Sequence, residues 1–343
     1  MRRMGALLVL LAVLLAGCAP GRQVYEATFL DVFDTVTTLR GYDVSRQTFQ
    51  TRAEQVHEAL LEYHRLFDIY TDFPGGLKRV NDSAGIDPVA VEPEIIALLK
   101  DCRQAYDLTG GRVNAAMGSV LSLWHDAREA GLADPDHAAL PDRAALEEAA
   151  KHISFDTVQL DEEAGTVYFE DPALSLDVGA VAKGYAAQLT SDTLRENGLD
   201  SFLLNAGGNV VCGGKPLDGR DFWVVGVEDL DGVSTRETLG ATDLSVVTSG
   251  DYQRYYTVDG VRYHHLIDPE TLYPAAHMHA VTILHPDSAL GDFLSTTAFL
   301  LPYEESRALI ESIPGAEAMW TLMDGTEEMT DGFRDLIELA ASR

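Results

Sequence analysis

The chain has 343 residues, 46% of them hydrophobic, which is enough for one large or two medium domains with a full core. Its 55 acidic residues against 25 basic ones give a formal net charge of -30. That balance argues against a nucleic-acid partner, because a phosphate backbone needs Lys and Arg to neutralise it. An anionic ligand would need counter-charge at its own site, most simply a metal ion.

The chain opens "MRRMGALLVLLAVLLAGC". Basic Arg2 and Arg3 precede an apolar run that is too short and badly flanked for a membrane span. Small residues before Cys18 resemble a bacterial lipoprotein signal. The expectation is a signal over 1–17, a lipidated Cys18 with a tether over 18–24, and a folded domain over 25–343. Such a protein would be anchored at the extracytoplasmic (periplasmic) face of a bacterial membrane. Cys102 and Cys212 lie far apart in sequence and read as small buried residues rather than a disulfide framework.

Further along, "FDTVTTLRGY" alternates like a strand, and "RQTFQTRAEQVHEALLEYHRLFDIY" places Val56, Leu60, Tyr63 and Phe67 at helical spacing. "PEIIALLKDCRQAYDLTGG" has Pro at a helix start and a Gly-Gly stop. "DPDHAALPDRAALEEAAKHI" is polar and then helical, a peripheral excursion. "FDTVQLDEEAGTVYFEDPALSLDVG" reads as strands around a glycine turn, with Leu174 opening a last strand that ends near Asp177 before a helix. "SFLLNAGGNVVCGG" is strand, turn, strand, and "FWVVGVEDL" and "LGATDLSVVTSG" are further strands. Asp259-Gly260 closes the hairpin "RYYTVDGVRYHHLI", "HAVTILHP" is a strand, and "GDFLSTTAFLL" is a helix. Strands and helices mix without strict βαβ alternation. The fold class is therefore α+β, a single domain of mixed and antiparallel sheets flanked by helices.

Four stretches carry candidate chemistry. In "LSLDVGAVAKGYAAQ", an acid (Asp177) and a base (Lys183) bracket a glycine turn at a helix start, where anions are favoured; a capping Asp and a surface Lys fit that pattern equally well. The paired glycines of "LLNAGGNVVCGG" let a ligand or a second backbone pass close, but no G-x-G-x-x-G opens a helix, so a Rossmann site is rejected. Strand alternation around Asp259-Gly260 puts Arg254, Tyr256, Val258, Val261, Tyr263 and His265 on one face and His264 on the other. In "GDFLSTTAFLL", Asp292, Ser295 and Thr296 fall at i, i+3 and i+4. Three oxygens on one helix face suit Mg²⁺, which takes few carboxylates and leaves room for phosphate oxygens.

Together, "FDTVTT", "LFDIYTD", "TGGRVNAAMGSVLSLWHDA", "LDVGAVAKGYAAQ", "LLNAGGNVVCGG", "TSGDYQRYYTVDGVRYHHLIDPETLYP" and "GDFLSTTAFLL" span nearly all of the mature chain. In this order they resemble the periplasmic flavin transferases of the ApbE type, which move FMN from FAD onto a Thr or Ser of a partner flavoprotein. The resemblance implies that Phe33, Tyr70, Arg112, Val113 and Asn114 line an FAD site and that Asp177 and Lys183 hold the flavin nucleotide. It implies that the Ala180 carbonyl, Asp292 and Ser295 or Thr296 ligate Mg²⁺. His265 would then be the base, or would position the acceptor and the phosphate. Three positions depart from the family pattern: Asn114 where many relatives have Asp, Gly291 for a small Ala, and Leu272 where Gly is usual. If that glycine needs positive φ, the turn after His265 would be reshaped. The implied reaction splits FAD at the FMN phosphorus and releases AMP. Its rivals on the same residues are a Mg²⁺-dependent FAD pyrophosphatase and a non-catalytic FAD-binding lipoprotein.

Overall fold

The computed structural model describes residues 21–33 and 35–342. Cys18 and the signal lie outside the described residues. Strands β1 (Gln23–Val32) and β2 (Thr35–Asp43) pair antiparallel. Gln23 and Val24, expected in the tether, therefore belong to the first strand. Helix α1 (Arg46–Phe67) starts where the Ser45 hydroxyl accepts the Thr48 N–H at 3.1 Å. Its Phe49, Ala53, Val56 and Leu60 recur at helical spacing and pack on Leu39 and Leu204 of the sheet. After α2 (Leu77–Asp82) and β3 (Val89–Ala90) comes α3 (Pro93–Leu108), with Pro at its first position as expected.

Helix α4 (Gly118–Ala133) and the short α5 (Arg143–Ala149) follow. Next, β4 (Gln159–Asp161) and β5 (Thr166–Tyr168) form a hairpin that β3 extends to three strands. The segment from Leu174 to Gly179 is not the strand its apolar residues suggested. It makes one bridge, Ser175 to Met117, and several of its other backbone bonds lie off any ladder. Leu176 exchanges two hydrogen bonds with the Asn81 carboxamide, and Asp177 N–H donates to Ala115 O at 2.7 Å. Helix α6 (Ala182–Glu196) begins only after a further turn and has no side-chain cap, so Asp177 does not cap it.

The remaining elements complete the sheet: β6 (Phe202–Ala206), β7 (Asn209–Gly213), the hairpin β8 (Trp223–Glu228) with β9 (Thr235–Ala241), β10 (Leu244–Gly250), the hairpin β11 (Tyr255–Val258) with β12 (Val261–His264), β13 (Met278–His285), α7 (Ser288–Leu300), α8 (Tyr303–Ser312), β14 (Glu317–Leu322), β15 (Glu327–Met329) and α9 (Asp331–Ala341). Eight strands form one sheet in the order β1-β2-β6-β7-β10-β13-β14-β15, antiparallel at every pairing. Both faces of its middle are covered. Val281 and Ile283 point into the core shared with α7, while Leu284 joins Cys212 and Met319 under β8, β9 and α9. Burial on both faces explains why "NVVCG" reads as an unbroken apolar run. Cys102 and Cys212 are free and buried, their thiols pushed up to about 12 by that burial. The α+β architecture is as read from the sequence. No helix among the described residues is long and apolar enough to cross a membrane.

Candidate active site

A cleft of about 640 Å³ opens where the starts of α6 and α7 meet the β11–β12 hairpin and α4, a size ordinary for a small-molecule site. Tyr70, Arg112, Val113, Asn114, Asp177, Ala180, Lys183, His265, Asp292 and Thr296 all line it. Residues far apart in sequence are thus brought into one cavity.

Asp292 is held most firmly. Helix α7 is capped by Asp287, which accepts the Ala289 and Leu290 N–H groups, and is buried on nearly every side. The oxygens of "DFLSTT" therefore face protein or cleft rather than solvent. The Gly184 N–H donates to Asp292 Oδ2 at 2.7 Å. Only glycine allows this approach: a Cβ on residue 184 would lie 2.3 Å from Asp292 Cβ and 2.5 Å from Ser288 O. Burial pushes the Asp292 carboxyl up, while the Lys183 ammonium and the Gly184 bond oppose that rise. Thr296 lies one turn on, its hydroxyl donating to Ala180 O at 3.5 Å. Ser295 does not reach the cleft. It is fully buried, bonded to Ser249 Oγ and donating to Asp292 O, both at 2.9 Å.

Across the cleft, Asp177 Oδ1 accepts the Gly179 N–H at 2.8 Å, and burial raises its carboxyl. Burial also lowers the Lys183 ammonium, against the pull of Asp292. The two histidines after the hairpin have separate fates. His264 is buried, its Nδ1 accepting the Leu266 N–H at 3.2 Å, so its Nε2 donates to Ala275 O at 2.9 Å. His265 lies in the cleft with a buried Nδ1 that has no hydrogen-bond partner. Burial first, then Arg254, His264, Lys183 and Arg128, lower its pKa to about 3, so it is a neutral acceptor.

Among the described residues no three His, Cys, Asp or Glu side chains cluster to hold a metal ion. The donors that converge are oxygens: the Asp292 carboxylate, the Ala180 carbonyl and the Thr296 hydroxyl. One carboxylate with two neutral oxygens fits a hard cation that draws its other ligands from phosphate and water.

Residues 33–320 match the ApbE family. The chain belongs to that family. A relative, the FAD:protein FMN transferase of Treponema pallidum (strain Nichols), is 36% identical over 284 residues, covering 78% of this chain and 76% of the relative. An FAD:protein FMN transferase of Klebsiella pneumoniae (strain 342) is 32% identical, covering 70% and 73%. Among solved structures, the ApbE protein of Thermotoga maritima superposes with a TM-score of 0.80 at 30% identity, over 92% of this chain and 99% of that one. The flavin transferase ApbE of Vibrio cholerae gives 0.77 at 23% identity over the same shares, a likeness of fold.

Against the ApbE pattern, Phe33 is placed differently from expectation, and the structure shows what the departures at Asn114 and Leu272 do. Phe33 does not line the cleft: its N–H donates to His64 Nδ1 at 3.2 Å and its ring packs edge-on to His64, so Thr35 takes the nearby place in the wall. Asn114 is a structural amide. Its Nδ2 donates to Ile153 O at 2.7 Å and its Oδ1 accepts the Ala116 N–H at 2.8 Å, a pair of bonds that an ionised Asp would not make. Leu272 does not reshape its turn but adopts φ +64 itself. Gly291 has a plain reason, since a Cβ there would sit 3.1 Å from Ser245 Oγ. Sequence reading missed His125 and Arg128, which line the cleft from α4. His125 stacks on Tyr70 with ring centroids 4.9 Å apart, and Arg128 Nη2 lies 3.1 Å from His125 Nδ1. Their one-turn spacing was the available signal.

Proposed function

We propose that this ApbE-family chain transfers FMN from FAD to a Thr or Ser hydroxyl of a partner flavoprotein, releasing AMP, with Mg²⁺ at Asp292, Thr296 and the Ala180 carbonyl. The observation that carries the reading is the convergence of that oxygen set, a neutral imidazole and a part-buried Lys183 in one cleft. Bound Mg²⁺ would supply charge neutralisation for a pyrophosphate in a protein of net charge -30.

The protein's own groups divide the remaining work. Tyr70, stacked on His125, offers an aromatic face to a planar ring. Arg112, Val113 and Asn114 line the adjoining wall, and Asp177 and Lys183, which line the same cleft, would face the nucleotide. His265, a neutral imidazole whose Nδ1 has no hydrogen-bond partner, would be the proton acceptor. As the acceptor oxygen bonds to the FMN phosphorus, its proton passes to His265, the anhydride P–O bond breaks, and AMP leaves with the electron pair. Arrival of a pyrophosphate would offset the cations that hold the imidazole acidic, raising its basicity when it is needed. The same reading includes a lipid on Cys18 and residence at the extracytoplasmic face, supported by the signal-like leader. The test incubates the mature protein with FAD, Mg²⁺ and a candidate acceptor. In-gel flavin fluorescence on the acceptor supports transfer; free FMN and AMP alone would mean a pyrophosphatase, and unaltered FAD would mean a carrier.

A further inference from the structure

Four cations line the cleft: Arg112, Arg128, Lys183 and Arg254. Arg112 is spent on Asp268 at 3.5 Å and Glu270 at 2.9 Å, and Arg128 on His125 and Glu129. Lys183 already has a place in the reading above. Arg254 makes no hydrogen bond or ion pair to any described residue. It is exposed at the cleft, and its backbone sits at φ +47, a left-handed conformation that a long side chain keeps only when its surroundings impose it.

The surroundings do impose it. Just upstream, the Asp251 N–H donates to His279 O at 2.9 Å, the Asp251 carboxylate pairs with His279 Nδ1 at 2.6 Å, and Gln253 donates to Glu228 at 2.8 Å. Just downstream, Tyr255 and Tyr256 enter a register fixed against His264 and Tyr263, and the Tyr256 hydroxyl donates to Ala139 O at 3.1 Å. A strained, unpaired guanidinium is thus held where it shares one cavity with Lys183, His265, Asp177 and Asp292.

We infer that Arg254 is a second phosphate-binding residue, its planar fork taking non-bridging oxygens of the dinucleotide's pyrophosphate beside Lys183. This rests on the FMN-transfer reading. Arg254 carries no proton and forms no covalent bond. It neutralises the charge that the leaving phosphate gains as the anhydride P–O bond breaks.

The test titrates the mature wild type, Arg254→Lys and Arg254→Gln with FAD and with riboflavin in the presence of Mg²⁺, read by flavin fluorescence. Arg254→Gln is expected to weaken FAD by about 10-fold or more, as loss of a charge-assisted forked contact should, with riboflavin unchanged; Arg254→Lys keeps the charge and loses less. Arg254→Gly, which frees the φ constraint, should melt no lower than wild type while losing FAD affinity as Arg254→Gln does. An Arg254→Gln variant that binds FAD as wild type does, or that loses riboflavin equally, overturns the inference and leaves the transferase reading standing. A wild type that binds FAD no tighter than riboflavin sinks the dinucleotide site itself, and the inference with it.

Discussion

The two walls of the cleft are built on opposite principles. The α6–α7 wall is closely packed and internally satisfied, with Asp292 bonded to Gly184, Ser295 bonded on two sides, and α7 buried almost all round. On the hairpin wall, Arg254 holds positive φ and His265 keeps an orphaned ring nitrogen, and in the core packed with the hairpin the buried Leu272 holds positive φ too. A wall that must present donors in fixed geometry gains from complete packing. A wall that must meet charge or a proton that arrives only with substrate keeps its groups unmade, and the surrounding structure carries that cost.

The most damaging way to test the packed wall is Asp292→Ala. Loss of the one carboxylate in the oxygen set should lower transfer by about 10³-fold or more, since charge stabilisation at a phosphoryl centre is worth several kcal/mol. FAD binding should weaken less. Full transfer by this variant would show that the cation is not held there.

On the other wall, His265→Gln should lower transfer by about 10²–10⁴-fold, the usual worth of a positioned general base. It also carries a stability signature. His265 is neutral in the fold down to about 3, whereas the unfolded chain takes up a proton below about 6.5. Stability present above pH 6.5 is therefore lost as pH falls through that window. The melting temperature of wild type should drop further between pH 7 and pH 5 than that of His265→Gln. Equal drops would mean that the imidazole is not held neutral.

Gly184→Ala tests whether packing alone sets the first wall. The added Cβ has backbone on one side and Asp292 on the other. Overpacking of this kind costs about 1–3 kcal/mol, read as a lower urea midpoint. A shift of Asp292 of about 1 Å can cost about 10²-fold in rate. Unchanged rate with unchanged stability would mean that the two helices part easily.

The packed wall was largely legible in the sequence. The i, i+4 spacing of Asp292 and Thr296 places them on one helix face, and a capped, all-round apolar helix demands burial. Ser295 could not be separated from Thr296, because the two flank the direction of Asp292 about 100° apart on the helix and only packing sets which hydroxyl meets the cleft. The order of elements was equally legible from Pro93, the Gly110-Gly111 stop and Asp259-Gly260. What failed was the Leu174 strand, because an extended apolar segment bonded to an Asn side chain looks the same as a laddered one. Phe33 failed because its bond to His64 joins residues 31 positions apart. The hairpin wall was legible only as a face: alternation brought Arg254 and His265 together, but nothing local predicts that an Arg or a Leu will hold left-handed φ.

The difference between two truncations of Leu272 is the smallest expected effect and the sharpest one. Its side chain is buried against Met117, Val120 and Trp124, its N–H donates to Asp268 O at 2.8 Å, and its carbonyl accepts the Trp124 indole at 2.9 Å. Packing and hydrogen bonds together hold φ at +64, at an intrinsic cost of about 1–2 kcal/mol for a non-glycine residue. Truncation to Ala removes the packing and keeps the strain, so it should cost about 2–5 kcal/mol. Truncation to Gly removes slightly more surface but also removes the strain, and should cost about 1 kcal/mol less than Ala, since Ala where φ is positive is destabilising. Glycine is normally the worse substitute, so the reversed order is diagnostic. Urea midpoints for the two variants decide it, and a Gly variant less stable than the Ala variant would show that the turn relaxes out of the left-handed region once the leucine is gone.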